Sequence, residues 1–430
     1  MTFDYHFDPP PSTGQRLLII DQNLKGFEGH HHDYTHAIIK AAQKRGLTVQ
    51  LVTHRAYRGT TLAGAPVVAR FAGREESRDT SLIMRAARGG LTGLPAYLRQ
   101  AILSHLPITT GAARRPVSPD HALARQLMPI IAQKKLTKAD HVLLHTLTES
   151  EFLGLAEVLA EEAAILPQLH ILLRYDASEA CRNAFQKACG AQHRISFWTD
   201  TQSLATHYRT LGCPAIRILP ILHGLDLSLS RNRSPDAPLT LSFLGGARRD
   251  KGFQLLPGLI AALNGDAAYA GRIRFLIQAT FGVSREEALM ARTRRALRAF
   301  PRDGVTLIET PPERMEFQRA IISTDLMLLP YDPVVYRRRS SGLLIQAMAA
   351  GIPTIIPNHS WLSDMASPHA AIRFKNEKNF MFAVKQAITR IDGLSAAALA
   401  DAPLVVAHHD ADHYIALLIK RGTEQNVFSA

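Results

Sequence analysis

The chain has 430 residues, 46% of them hydrophobic and 20% charged, with 27 glycines and 24 prolines. That is enough apolar mass for two domains with separate cores, and it excludes disorder, collagen and coiled coil. Lysine and arginine outnumber aspartate and glutamate by 50 to 37, so an anionic partner is expected; with 7% aromatic residues and no zinc-finger or RRM-type motif, that partner is not nucleic acid.

Met1 to Pro11 carries Asp4, Asp8 and three prolines where a secretory signal needs a basic segment and then an apolar run. Cys181, Cys189 and Cys213 have neither disulfide-framework nor metal-site spacing. A cytoplasmic protein is expected.

Arg16 to Asp21 predicts a strand, a loop with Gly26 and Gly29 follows, and His30 to Arg45 predicts an amphipathic helix closed by Gly46. Leu47 to Thr53 reads as a second strand and completes a parallel βαβ unit. Residues 54–138 then hold 14 basic against four acidic residues. Within them, residues 80–135 form a Gly-, Leu- and Arg-rich insertion. It reads either as helices covering the sheet or as a basic lip for an acidic acceptor or an anionic membrane surface. Strands at Asp140 to His145, Leu169 to Arg174 and Arg194 to Trp198 complete a doubly wound sheet.

The polar stretch Ser228 to Pro238 reads as a linker. Strands are predicted beyond it at Leu239 to Leu244, Arg272 to Ile277, Val305 to Ile308, Asp325 to Pro330 and Pro353 to Pro357, which implies a second parallel sheet. Ligands of such sheets sit at the carboxyl ends of the strands, so a site shared by both halves is expected.

Two stretches carry candidate chemistry. In Phe243-Leu-Gly-Gly-Ala-Arg-Arg-Asp-Lys-Gly252, Gly245 and Gly246 allow close backbone approach and Arg248, Arg249 and Lys251 add positive charge. This is either a diphosphate grip or a solvated basic turn. In Leu329 to Thr354, a loop carries Tyr331, Tyr336 and Arg337 to Arg339, Ser340 or Ser341 caps, and Gly342 opens a helix whose free amides face the cleft. Helix dipole and arginine together would hold an anion, and Gln346, one turn in, suits a ribose hydroxyl. Near the N-terminus, His32 and His36 share a helical face, but no third ligand is identifiable and no metal is expected. His30 and His31 either contact a ligand in the cleft or start a solvated helix.

These residues together resemble the donor half of the GT-B retaining glycosyltransferases of the family 4 type. The resemblance is carried by about residues 239–360 and extends to 16–53. It implies an α/β GT-B fold of two Rossmann-like domains: an N-terminal acceptor domain (1–222), a C-terminal nucleotide-sugar domain (223–405), and a last helix (406–430) that returns to the first. The implied partners are a nucleotide sugar and a glycan or lipid-linked acceptor, with no metal or other cofactor. Lys251 matches the lysine that neutralises the diphosphate. The arginine usually five residues earlier is Gly246 here, and Arg248 is its nearest substitute.

The family's paired glutamates fall on Arg338 and Gln346, and its strand-end histidine is replaced by Arg174-Tyr175-Asp176, with His145 on the neighbouring strand the nearest histidine. The carry-over makes Arg248, Lys251, His145 and Asp176 the catalytic candidates. Gly29, Gly245, Gly246, Arg339, Ser340, Ser341 and Gly342 would surround the diphosphate, and Gln346 the ribose. His30, His31, Arg174, Tyr175, Tyr336 and Arg338 would contact sugar or acceptor. Hexosyl transfer with retention, serving polysaccharide or glycan synthesis in the cytoplasm or at the inner face of the membrane, is the implied activity. The missing glutamate pair keeps open a non-catalytic nucleotide- or glycan-binding protein, or a partner subunit, and a sugar-nucleotide epimerase of the same fold is a third reading.

Overall fold

The computed structural model describes residues 14–26, 30–71, 118–162, 166–190, 194–213, 215–229, 236–280 and 288–420, with the side chains of His30 and His31 left outside the description. The first half runs β1 (Arg16–Asp21), α1 (His30–Lys44), β2 (Thr48–His54), β3 (Thr61–Leu62), β4 (Ala65–Phe71), α2 (Ala122–Gln133), β5 (His141–Leu147), α3 (Glu149–Glu161), β6 (Gln168–Leu173), α4 (Ala180–Gly190), β7 (Ile195–Thr199), α5 (Gln202–Thr210) and β8 (Arg217–Ile218). Its strands lie in the order β3-β4-β2-β1-β5-β6-β7-β8, parallel except for the short β3–β4 pair.

The second half runs β9 (Leu239–Phe243), α6 (Leu256–Asn264), β10 (Ile273–Gln278), α7 (Ala288–Arg298), β11 (Val305–Ile308), α8 (Arg314–Ile322), β12 (Leu326–Leu328), α9 (Gly342–Ala349), β13 (Thr354–Pro357), α10 (Trp361–Met365), β14 (Ala371–Phe374), α11 (Glu377–Thr389), α12 (Ile391–His408) and α13 (Ala411–Ile419). Its parallel order is β11-β10-β9-β12-β13-β14.

The strands are almost continuously apolar because helices cover both faces of each sheet. Successive side chains alternate between faces, so β1 divides itself between two cores: Leu18 and Ile20 pack on one side, Leu17 and Ile19 on the other. Leu326 and Leu328 of β12 likewise face one core of the second sheet while Met327 faces the other. The parallel strand order switches direction between β1 and β5 in the first sheet and between β9 and β12 in the second. In such sheets ligands sit beyond the carboxyl ends of the strands, near these switch points.

The end of the expected insertion is ordinary scaffold. α2 buries Leu123, Ala124, Leu127, Ile130 and Ile131, which is amphipathic spacing turned onto the sheet. Residues 80–117, where the basic lip was expected, lie outside the described residues. Strands β3, β4, β8 and β14 add to those expected. Gly46 closes α1 at φ +80°, and the Leu47 amide donates to Ala42 O across the cap.

The final helices cross back between the halves. The stretch Ile391–Ile419 is long and apolar enough to cross a membrane by length and composition. In the fold it is broken at His409 and Asp410, and α13 buries Tyr414, Ile415 and Leu418 against the first half, with Tyr414 on the edge of Tyr34. Lys44 of α1 pairs with Asp412.

Candidate functional site

On the C-terminal side, the loop after β9 is shaped by close backbone approaches. Gly245 has φ +91°, and its amide donates to Gln278 Oε1 at 2.6 Å. Gly252, φ +77°, lies so close to the loop after β12 that a Cβ there would stand 2.1 Å from Pro330 O. The Asp332 amide donates to Asp250 O at 2.8 Å, which joins the two loops at the topological switch point. Arg248 is fixed by Asp250, 2.7 Å away, and donates to the Tyr336 hydroxyl at 2.8 Å.

Lys251 reaches back over the ring of Tyr331, 5.6 Å from its centroid, to the Gly245 backbone, where a Cβ would stand 2.7 Å from Nζ. Among the described residues its ammonium has no carboxylate partner. Burial, with Arg248 and Arg339 beside it, pushes its pKa down to about 8. The Ser341 hydroxyl caps α9 by accepting from the Leu344 amide, which leaves the amides of Gly342 and Leu343 at the dipole's positive end.

The N-terminal side is built from long side chains at strand and helix ends. Asp33 and Tyr34 come from α1, Arg174 and Tyr175 follow β6, and Asp200 follows β7. The Arg174 guanidinium lies 4.7 Å from the Tyr34 ring centroid, and Tyr34 donates to Pro220 O at 3.2 Å. Burial works against the Arg174 charge, but Tyr34 and Asp200 outweigh it and hold the guanidinium charged. Burial raises the pKa of Asp200, with Arg174 and the Ser340 hydroxyl acting against the rise.

The halves meet around the arginine loop. Ser340 donates to Asp200 at 2.7 Å, Thr201 donates to Arg338 O at 2.9 Å, Arg338 pairs with Asp176 at 3.0 Å, and Arg314 pairs with Asp33 at 3.5 Å. Between the walls lies a cavity of about 780 Å³. Of the sequence candidates it is lined by Arg174, Tyr175, Gly245, Gly246, Arg248, Lys251, Tyr336, Arg339, Ser340, Ser341, Gly342 and Gln346.

Other candidates are placed elsewhere. His145, expected to approach the reaction, is instead 1% exposed: β5 lies at the centre of the sheet, and Tyr34 covers the ring edge-on at 4.8 Å. Asp176 and Arg338 do not line the cavity; they are spent on each other at its rim. Gly29 lies outside the described residues, and so do the side chains of His30 and His31. Among the described residues no group of three or more metal-ligating side chains occurs.

Sequence reasoning missed Asp200, Gln278, Arg314, Phe317 and Gln318, all in the cavity wall. Asp200 and Gln278 stand at the carboxyl ends of strands, so applying the strand-end rule to every strand would have found them. Gln318 had no such signal. It holds the turn between the halves, donating to Gly224 O and accepting from the Asp226 amide, each at 3.0 Å.

No protein-family model and no curated protein matches the sequence. Solved structures match it along nearly its whole length. A trehalose-6-phosphate synthase, OtsA, aligns at TM-score 0.62 and 12% identity, over 94% of this chain and 99% of its own. A structure described as trehalose-6-phosphate from E. coli bound with UDP-2-fluoro glucose aligns at 0.63 and 11%, over 94% and 99%. Sucrose-phosphate synthase from Thermosynechococcus elongatus aligns at 0.59 and 14%, over 95% and 98%. The chain has the GT-B fold. In this GT-B chain the cavity lies between the two sheets, at the carboxyl ends of β9 and β12 on one side and of β6 and β7 on the other.

Proposed function

We propose that this GT-B protein is a glycosyltransferase that moves a sugar from a nucleoside diphosphate sugar to a hydroxyl acceptor, with retention. The observation that carries the reading is Lys251: an ammonium without a carboxylate partner among the described residues, set against the Gly245 turn in a cavity that also receives the N-terminus of α9. Fixed cations and amides aimed at a leaving diphosphate stabilise the charge that grows as its bond to the sugar breaks. Lys251, Arg339 and the Gly342 and Leu343 amides supply that stabilisation, with Arg248 adding field from its place beside Asp250. Gln346, one turn into α9, accepts from the ribose. The acceptor oxygen enters along the Tyr34–Arg174–Asp200 wall, on the face from which the diphosphate leaves, and its proton passes to a phosphate oxygen as the new bond forms.

In this reading protein cations do the work of a metal, so activity persists in excess EDTA. The basic composition supports docking on an anionic membrane surface, where a lipid-linked glycan would be the acceptor. Flotation with anionic vesicles that weakens with salt is the check. The reading is tested by nucleoside diphosphate release from a panel of nucleotide sugars, starting with UDP-glucose because one of the similar structures is described as bound with UDP-2-fluoro glucose. Slow release by the wild type, lost in Lys251→Ala, supports transfer. A second reading, a non-catalytic nucleotide- or glycan-binding protein, is favoured by Arg338, which is paired to Asp176 at the rim at a position where the resemblance leads one to expect a glutamate near the sugar. Binding of nucleotide without any release or transfer supports that second reading.

A further inference from the structure

Five cationic side chains line the cavity, against the carboxylates of Asp33 and Asp200. Two are already committed, Arg248 to Asp250 and Arg314 to Asp33. Lys251 and Arg339 stand on the C-terminal wall beside the Gly245 turn and the α9 N-terminus, where their charges match a diphosphate. Arg174 is left over, on the opposite wall.

Its Nε and Nη2 are sealed from solvent and have no hydrogen-bond partner among the described residues. These two nitrogens share the edge of a guanidinium that grips both oxygens of an oxyanion. The same chain shows the grip elsewhere: Arg16 places Nε 3.1 Å from Asp140 Oδ1 and Nη2 2.7 Å from Oδ2. The Arg174 guanidinium carbon lies 4.7 Å from the Tyr34 ring centroid, and among the described residues Arg174 makes no ion pair. On the same wall Asp200 Oδ1 is also buried without a donor among the described residues, while Oδ2 is occupied by Ser340. An unmet bidentate donor beside an unmet acceptor matches a molecule that carries both an oxyanion and hydroxyl groups.

We propose that Arg174 is the receptor for an oxyanion on the sugar held between the halves, so that one substrate is a sugar phosphate or a sugar acid. Arg174 turns its unpaired edge into the cavity to take both oxygens, and Asp200 Oδ1 accepts from a hydroxyl of the same sugar. The proposal rests on the glycosyltransfer reading and narrows its substrate class.

The test is titration calorimetry on the full chain, wild type, Arg174→Gln and Arg174→Lys. Glucose 6-phosphate, mannose 6-phosphate and glucuronate are compared with the neutral hexoses, UDP-glucuronate with UDP-glucose, and UDP, GDP, ADP and dTDP are titrated alone. At least tenfold tighter binding of an anionic probe than of its neutral counterpart is expected in the wild type. Arg174→Gln abolishes that preference, Arg174→Lys keeps part of it, and nucleoside diphosphate binding stays within about twofold. A preference among the free sugars assigns the oxyanion to the acceptor, and one confined to UDP-glucuronate assigns it to the donor. Equal binding of charged and neutral probes by the wild type overturns the proposal without recourse to a variant, and so does a preference that survives Arg174→Gln. If no nucleoside diphosphate binds while the Arg174-dependent preference remains, the oxyanion site stands and the glycosyltransfer reading falls.

Discussion

The two walls of the cleft are made in different ways. The C-terminal wall is backbone: a left-handed glycine at 245, another at 252 packed on Pro330, and the open first turn of α9. The N-terminal wall is side chain: Tyr34, Arg174 and Asp200 project from α1 and the ends of β6 and β7. A backbone-made anion site demands glycine, cap and cation at fixed spacings, whereas a wall of long side chains can exchange one polar group for another without disturbing the strand beneath. The first is therefore suited to the constant part of a substrate, the diphosphate, and the second to the part that varies.

The largest effect is expected at Lys251. Lys251→Ala should lower turnover by about 10²–10³, the scale for removing one preorganised charge-stabilising donor, with the thermal midpoint unchanged or raised because a desolvated ammonium is removed; a turnover within twofold of wild type would take the diphosphate away from this wall. Gly252→Ala attacks the same wall through its backbone. At φ +77°, with Pro330 O 2.1 Å from the added carbon, it forces the two loops apart. A loss of about 1–3 kcal/mol of stability is expected in chemical denaturation, with weakened nucleotide binding.

The C-terminal wall also carries a titrating charge. Lys251 sits near 8 in the fold against an ordinary lysine value of 10.5. Between these values the unfolded chain keeps the proton and the folded chain does not, so Lys251 makes stability rise with pH across that window. Diphosphate requires the charged form. Affinity for a nucleoside diphosphate should hold below pH 8 and fall above it by up to about tenfold per pH unit, and Lys251→Met should flatten both trends in a calorimetric pH series. The smallest effect belongs to the joint between the walls. Ser340→Ala leaves Asp200 without its donor and should cost about 1.5 kcal/mol in a denaturant midpoint measurement, the scale of a hydrogen bond to a charged group.

The same contrast explains what could be read from the sequence. Gly245, Lys251, Ser341 and Gln346 were legible because turn, cap and helix chemistry restrict which residues occupy them, and all four line the cavity. Most strands were legible as apolar runs; of the four that were not, β8 spans two residues, β14 was not singled out, and β3 and β4 were hidden because β4 has exposed residues along most of its length and reads as part of the basic stretch. His145 misled because a polar residue at a strand end was read as facing the cleft, whereas packing between β1 and β5 left it under Tyr34. Asp200 and Arg314 gain their meaning only from the other half, through Ser340 and Asp33, and contacts across more than 130 residues leave no local pattern.

Whether this cleft takes a nucleoside diphosphate on its C-terminal wall is decided by thermal stabilisation of the purified chain with UDP, GDP, ADP and dTDP, in wild type and Lys251→Ala. A ligand at about 100 times its dissociation constant adds about 2.7 kcal/mol. A midpoint rise with at least one of the four, absent from Lys251→Ala, is the predicted result; no rise with any of them, or the same rise in both proteins, would contradict the account.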